Sequence, residues 1–141
     1  MFGRIWRKRR AQPKTLSSQS VPVVQLPRAK RGSAAESEAK KAARALAHAR
    51  LAHFNQFYGF TYQKVFIRNQ KTRWGACSAK GNLGFNYRIT YLPPQLADYV
   101  IVHELCHLGQ FNHSPAFWQL VAHVIPDYKA QRRELRTRYR F

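Results

Sequence analysis

The feature that most constrains this 141-residue chain is residues 94–108, an apolar segment that carries two histidines and a glutamate at helical spacing. A proline pair at 93–94 opens the segment, and proline suits the first turn of a helix. The segment is apolar on nearly every side, which predicts a buried helix. His103 and His107 lie on one face of it with Glu104 beside them. Because buried histidine and glutamate are costly unless paired or metal-bound, a site is expected here.

The pattern H-E-x-x-H at 103–107 is typical of zinc hydrolases, because imidazoles at i and i+4 can share one ion while the glutamate holds a water. His113 follows on the link between two predicted helices. A left-handed helix end at Gly109 would bring His113 back over the first two histidines. Three nitrogen ligands leave a fourth position open, as in catalytic zinc sites. The alternative is two core histidines that meet backbone carbonyls, with an exposed loop histidine at position 113.

Four segments, in this order, resemble the YgjP-like metallopeptidases, a zincin family related to the SprT-like proteases. The segments are Thr72–Ser78 (T-R-W-G-A-C-S), Gly81–Arg88 (G-N-L-G-F-N-Y-R), Tyr99–His107 (Y-V-I-V-H-E-L-C-H) and Asn112–Trp118 (N-H-S-P-A-F-W). The resemblance covers about residues 60 to 128. It implies that His103, His107 and His113 are zinc ligands, that Glu104 is the catalytic base, and that the substrate is a protein or peptide. Ala76 and Tyr87 depart from the family's R-W-G-S-C-S and F-N-W-R patterns, and neither departure touches a proposed ligand.

The periodicities along the rest of the chain predict one small α+β domain over residues 36–141. Residues 36–57 read as a helix that ends at Gly59, and residues 61–68 and 82–91 read as strands. Further helices are expected at about 94–108, 115–125 and 127–139. We therefore expect a zincin-like fold with a short antiparallel sheet, the H-E-x-x-H helix and C-terminal helices.

Residues 1–35 are predicted to be a disordered tail. They contain nine Lys or Arg residues, no acidic residue, three prolines and several serines. The tail lacks the apolar run of a secretory signal, and its Arg-rich start leaves a mitochondrial transit peptide open. No stretch is long and apolar enough to span a membrane, so a cytoplasmic location is expected. Cys77 and Cys106 lack metal or redox spacing, which favours buried thiols in a reducing compartment.

The formal net charge of +19 predicts attraction to polyanions. The basic tail and the C-terminal helix, in which Arg132, Arg136 and Arg140 share a face, are the expected contacts for non-specific nucleic-acid binding. A merely solvated cationic surface is the alternative.

Three functional hypotheses follow. The first is a zinc metallopeptidase, in which the edge of the 82–91 strand holds an extended substrate. Its oxyanion-stabilising group is open among Arg73, Arg88, Tyr91 and Asn112. The second is a basic nucleic-acid-binding module on a degenerate zincin fold. The third is a structural zinc domain, against which Glu104 argues because a structural site needs no base.

Overall fold

The structure of this chain is a computed structural model that describes residues 21–141. Its first helix, α1, spans Ala34–Tyr58. The hydroxyl of Ser33 accepts a hydrogen bond from the backbone N–H of Glu36, which satisfies one of the free donors of the first turn. The helix ends at Gly59, whose φ of 67° is the left-handed conformation that glycine adopts without strain. The predicted helix is confirmed, with ends one or two residues longer.

Three short strands form the main sheet, in the order β2–β4–β3. Their bounds are Val65–Arg68 for β2, Gly75–Cys77 for β3 and Leu83–Asn86 for β4. Strand β3 is antiparallel to β4, whereas β2 is parallel to it. The α+β class is confirmed, but the expected antiparallel sheet is mixed, because the link between β2 and β4 crosses over through β3.

The predicted strand 82–91 is strand only in its first half. Residues Tyr87–Tyr91 form a 3₁₀ helix instead. The side chain of Asn86 accepts a hydrogen bond from the backbone N–H of Arg88 and so caps this turn. Strand β4 is also the central strand, paired on both sides, so the substrate edge that we expected on it is not available. The outer edge on that side of the sheet belongs to β3.

Part of the predicted tail is folded onto the domain. Leu26 is buried in the core, and the backbone N–H of Ala29 donates to the hydroxyl of Tyr87 at 2.8 Å. Strand β1, Val24–Gln25, pairs in parallel with β5, Tyr139–Arg140. For residues 21–35 the prediction of a disordered tail is therefore wrong, because a pairing with the far end of the chain holds them. Residues 1–20 lie outside the described part.

Three helices complete the fold: α2, Pro94–Cys106; α3, Pro115–Val124; and α4, Tyr128–Arg138. Helix α2 is central and nearly all of its residues are buried. Helix α3 starts at the predicted cap, where the hydroxyl of Ser114 accepts from the N–H of Phe117. No helix within residues 21–141 has the length and apolar character required to cross a bilayer.

The expected left-handed conformation at Gly109 is wrong. Among the described residues, the glycines with positive φ are Gly32, Gly59 and Gly81. A glycine is needed at position 109 because a side chain there would collide with its neighbours. A Cβ there would lie 2.7 Å from Cζ of Phe60 and 3.1 Å from Cδ1 of Leu120. The reversal after α2 therefore depends on close packing against α3 and the segment that follows α1.

Candidate metal centre

Three histidine side chains converge at the end of α2 and the start of α3. His103 and His107 lie one turn apart on α2, and the turn after it brings His113 over them. The Nε2 atom of His103 is 3.2 Å from Nε2 of His107 and 3.3 Å from Nε2 of His113. The ligand atoms of the three residues all lie within 4.8 Å of one another. The structure therefore brings together the three residues that the sequence singled out.

Two of the three separations between these nitrogens fit a small tetrahedral ion. Zinc–imidazole bonds of about 2.0–2.1 Å at tetrahedral angles place two ligand nitrogens about 3.3 Å apart. The two shorter separations at His103 match this value. Within residues 21–141 the cluster consists of these three side chains, so a four-coordinate ion held by them would have one position free.

Neighbouring groups fix the orientation of the rings. Nδ1 of His107 lies 3.1 Å from the carbonyl oxygen of Gln110. Because a carbonyl can only accept, Nδ1 carries the proton and Nε2 keeps its lone pair for a metal. The ring of Phe117 contacts all three imidazoles, with centroids 4.5–5.0 Å apart. Trp118 of α3 stacks on His113, with ring centroids 5.9 Å apart.

The environment keeps the imidazoles neutral. Burial lowers the pKa of His103 well below its usual range, and the neighbouring His107 and His113 lower it further. Burial also lowers the pKa of His107 to about 4 and reduces that of His113. Neutral imidazole is the form that binds a metal ion, so the three side chains can bind one at neutral pH.

Glu104 packs directly against strand β3. Its side chain is almost completely buried, 2% exposed. A Cβ on Gly75 would lie 2.7 Å from Cγ and 2.8 Å from Oε1 of Glu104. Only a glycine therefore allows β3 to approach this carboxylate so closely. Gly75 belongs to the segment Thr72–Ser78, and no local sequence pattern indicates this contact.

Arg132 is a residue of the site that sequence reasoning missed. It was grouped with the solvent-facing arginines of the C-terminal helix, yet its guanidinium carbon lies 5.4 Å from the ring centroid of Trp118. After burial, the charge of Arg132 is a further cause of the lowered pKa of His103 and His113. Its Nε is buried and has no hydrogen-bond partner in the described part of the chain. The helical arginine spacing was visible, but the packing of α4 beside α2 was not.

Other candidates lie elsewhere. The side chain of Arg88 is completely buried, with its guanidinium carbon 4.5 Å from the ring centroid of Phe141, so it is not presented to a cleft. For Arg73, Tyr91 and Asn112 the oxyanion role stays a prediction. Cys77 and Cys106 are free and buried, as predicted. Burial raises the pKa of Cys77 to about 12, which removes support for a nucleophilic role.

A buried H-E-x-x-H helix with a third histidine from the following turn defines the metallopeptidase class. Comparison with known proteins agrees. The family model for the YgjP-like metallopeptidase domain matches residues 6–138, and the chain belongs to that family. The match extends beyond the 60–128 region of the resemblance and confirms it.

Among solved structures, the fold is similar to the crystal structure of the metallopeptidase zymogen of Pyrococcus abyssi abylysin. The TM-score is 0.59 at 26% sequence identity, and the alignment covers 67% of this chain and 99% of that chain. A search of the curated proteins gave no match. The family and the fold together establish a metallopeptidase, which implies a divalent metal and a protein or peptide substrate.

Proposed function

We propose that this protein is a zinc-dependent peptidase in which His103, His107 and His113 hold the ion and Glu104 is the general base. The observation that carries the proposal is the convergence of three imidazole side chains at the end of the helix that also buries the Glu104 carboxylate. A structural zinc site closes its fourth position with a protein ligand, and the described cluster contributes three. This favours the hydrolase over the structural zinc domain.

Each residue has a defined part in the proposed reaction. A zinc ion held by the three histidines would supply Lewis acidity, which would lower the pKa of a bound water toward about 7 and polarise a carbonyl. The Glu104 carboxylate takes the proton of the attacking water and passes it to the leaving amine. Gly75 keeps this carboxylate against β3, and the carbonyl of Gln110 keeps His107 in one tautomer.

Arg132 is the proposed stabiliser of the charge that develops on the scissile carbonyl oxygen. It is a fixed positive charge close to the histidines, and its stacking on Trp118 holds it in place. The guanidinium offers several N–H donors, which can hydrogen-bond that oxygen.

The outer edge of β3 is the proposed binding edge for an extended substrate. The backbone N–H of Asn86 donates to the carbonyl of Trp74, and that of Ser78 donates to the carbonyl of Asn82. Even-numbered residues of this strand therefore face β4, and the backbone groups of Gly75 and Cys77 face outward. A peptide that pairs with them by β-addition would lie next to Glu104.

Metal content tests the ligand set. We expect about one zinc per chain in the wild type and in Glu104→Gln, and loss of zinc in His113→Ala, because three nitrogens are needed to hold the ion. His123→Ala is the matched control, since His123 lies on α3 against Tyr58 and outside the cluster. Mass spectrometry of the native proteins measures the stoichiometry. A wild type that binds no zinc after reconstitution contradicts the proposal.

Gly75→Ala tests the contact between β3 and Glu104. The added methyl group collides with the carboxylate, so we expect kcat/KM on a peptide to fall by about a hundredfold while bound zinc is unchanged. Gly84→Ala on the neighbouring strand is the control, because its nearest atoms lie 3.9 Å from the new Cβ. Equal activity of the two variants, at equal melting temperature, would refute the proposed role of this contact.

Arg132→Gln tests the stabilising charge. We expect kcat to fall by about a hundredfold with little change in KM, as for loss of one oxyanion donor, and partial recovery in Arg132→Lys. Arg133→Gln, one residue along α4 and exposed, should behave as wild type. If zinc is lost together with activity, Arg132 acts through Trp118 and His113 instead, and the proposed role is wrong.

Backbone methylation of a substrate tests the β3 edge. In a peptide that the enzyme cleaves, we expect N-methylation at alternate residues to reduce kcat/KM by at least about tenfold, because it removes hydrogen bonds to the strand. Methylation at the intervening residues, whose N–H groups point away from the enzyme, should have little effect. Equal sensitivity at every position would argue against pairing with β3.

A further inference from the structure

The outer face of the three-stranded sheet carries an exposed aromatic ring flanked by cations. Strand β2 alternates between buried and exposed residues, with Val65 and Ile67 inside and Phe66 and Arg68 outside. Lys64 precedes the strand by one residue and shares the outer face, since alternate residues of a strand point the same way. Phe66 is 37% exposed, and the guanidinium carbon of Arg68 lies over its ring, 5.1 Å from the centroid.

The surface next to Phe66 is flat. In the sheet register, Phe66 pairs with Gly84 on β4, and Gly84 pairs with Ala76 on β3. The row across the sheet is therefore an aromatic ring, then a glycine with no side chain, then an alanine with a single methyl group. A planar group laid on this row meets no projecting side chain from β4 or β3.

An open groove of about 360 Å³ borders Arg68 and extends to the start of α1. Its cationic lining residues are Arg31, Lys40 and Arg68. One turn along α1 from Lys40, the exposed Arg44 donates to the carbonyl of Val65 at 3.1 Å, which places another cation at the edge of β2. We refer to Lys64, Phe66, Arg68 and this groove as the β2 surface.

Negative charge at the β2 surface is neutralised. Glu36 is the one carboxylate that lines the groove, and it is bound by Nζ of Lys40 at 2.6 Å and the backbone N–H of Gly32 at 3.0 Å. The sequence has six acidic residues. The other five lie on the outer side of α1, at α2 or at α4: Glu38, Asp98, Glu104, Asp127 and Glu134.

We propose that the β2 surface binds single-stranded nucleic acid, with one base stacked on Phe66 and neighbouring phosphates held by Lys64, Arg68 and Arg31. This goes beyond the proposed peptidase activity. It also places the contact on a different surface from the basic tail and C-terminal helix that the sequence suggested. A flat row with a single ring, bordered by cations, is the arrangement that stacks a base and follows a backbone without reading sequence.

The exposed ring selects single strands over duplexes. In a duplex both faces of a base are covered by its neighbours, so an aromatic side chain has no face to stack on. Charge alone would attract either form, and also an anionic membrane. The stacking contribution of Phe66 is therefore what separates this proposal from the general attraction expected of a chain with net charge +19.

Binding of a fluorescein-labelled single-stranded oligothymidylate to the full chain, followed by fluorescence anisotropy over a range of salt concentrations, tests the proposal. We expect Phe66→Ala to raise Kd by about tenfold, as for loss of one stacked base, without changing the salt slope. We expect Arg68→Gln to reduce the slope of log K against log salt by about 0.7, the value for one single-strand phosphate.

Matched variants separate this surface from non-specific charge. Phe57 is also an exposed phenylalanine, 54% exposed on α1, so Phe57→Ala should leave Kd unchanged. Circular dichroism checks that all variants are folded. The proposal is overturned if the wild type does not bind, if Phe66→Ala binds like Phe57→Ala, or if a duplex of equal length or a phosphatidylserine vesicle competes as well as the single strand.

Discussion

The burial of ionisable groups on α2 is the constraint on which the rest of the structure depends. From Tyr99 to Cys106 the helix is inside the protein on all sides, and this stretch includes His103 and Glu104. Such groups are tolerated only when their neighbours satisfy them. Strand β3 comes close to Glu104 because Gly75 has no side chain, and aromatic rings of α3 pack against the imidazoles. The packing of β3 and α3 against α2 is thus matched to these buried side chains.

A second buried charged group, Arg88, packs against the residue that follows β5. The guanidinium of Arg88 has three nitrogens without a hydrogen-bond partner in the described part of the chain. Burial lowers its pKa, and the ring of Phe141 covers it. Phe141 also contacts Trp74, with ring centroids 4.5 Å apart, immediately before the glycine that faces Glu104. Phe141, which follows the β1–β5 pair, thus packs on Trp74, the residue before β3.

Local sequence signals predicted the helices and the cluster of histidines, because caps, proline positions and i, i+4 spacing act within a few residues. Ser114, Gly59 and the pair His103 and His107 illustrate this. Strand order was not predictable in the same way. Alternation tells which residues of β2 are buried, but the parallel partner of β2 and the central position of β4 depend on contacts between distant segments. The burial of Leu26 and the position of Arg132 were missed for the same reason.

Neighbouring residues of β3 point to opposite faces of the sheet. Gly75 points toward α2 and permits the contact with Glu104, whereas Ala76, the next residue, points to the outer face beside Gly84. A strand of three residues therefore contributes to the candidate metal centre on one side and to the flat row next to Phe66 on the other. Because β4 separates β2 from β3, Phe66 is not part of the contact between Gly75 and Glu104. Effects at the two faces are thus expected to add, as they do for sites that share no contacts.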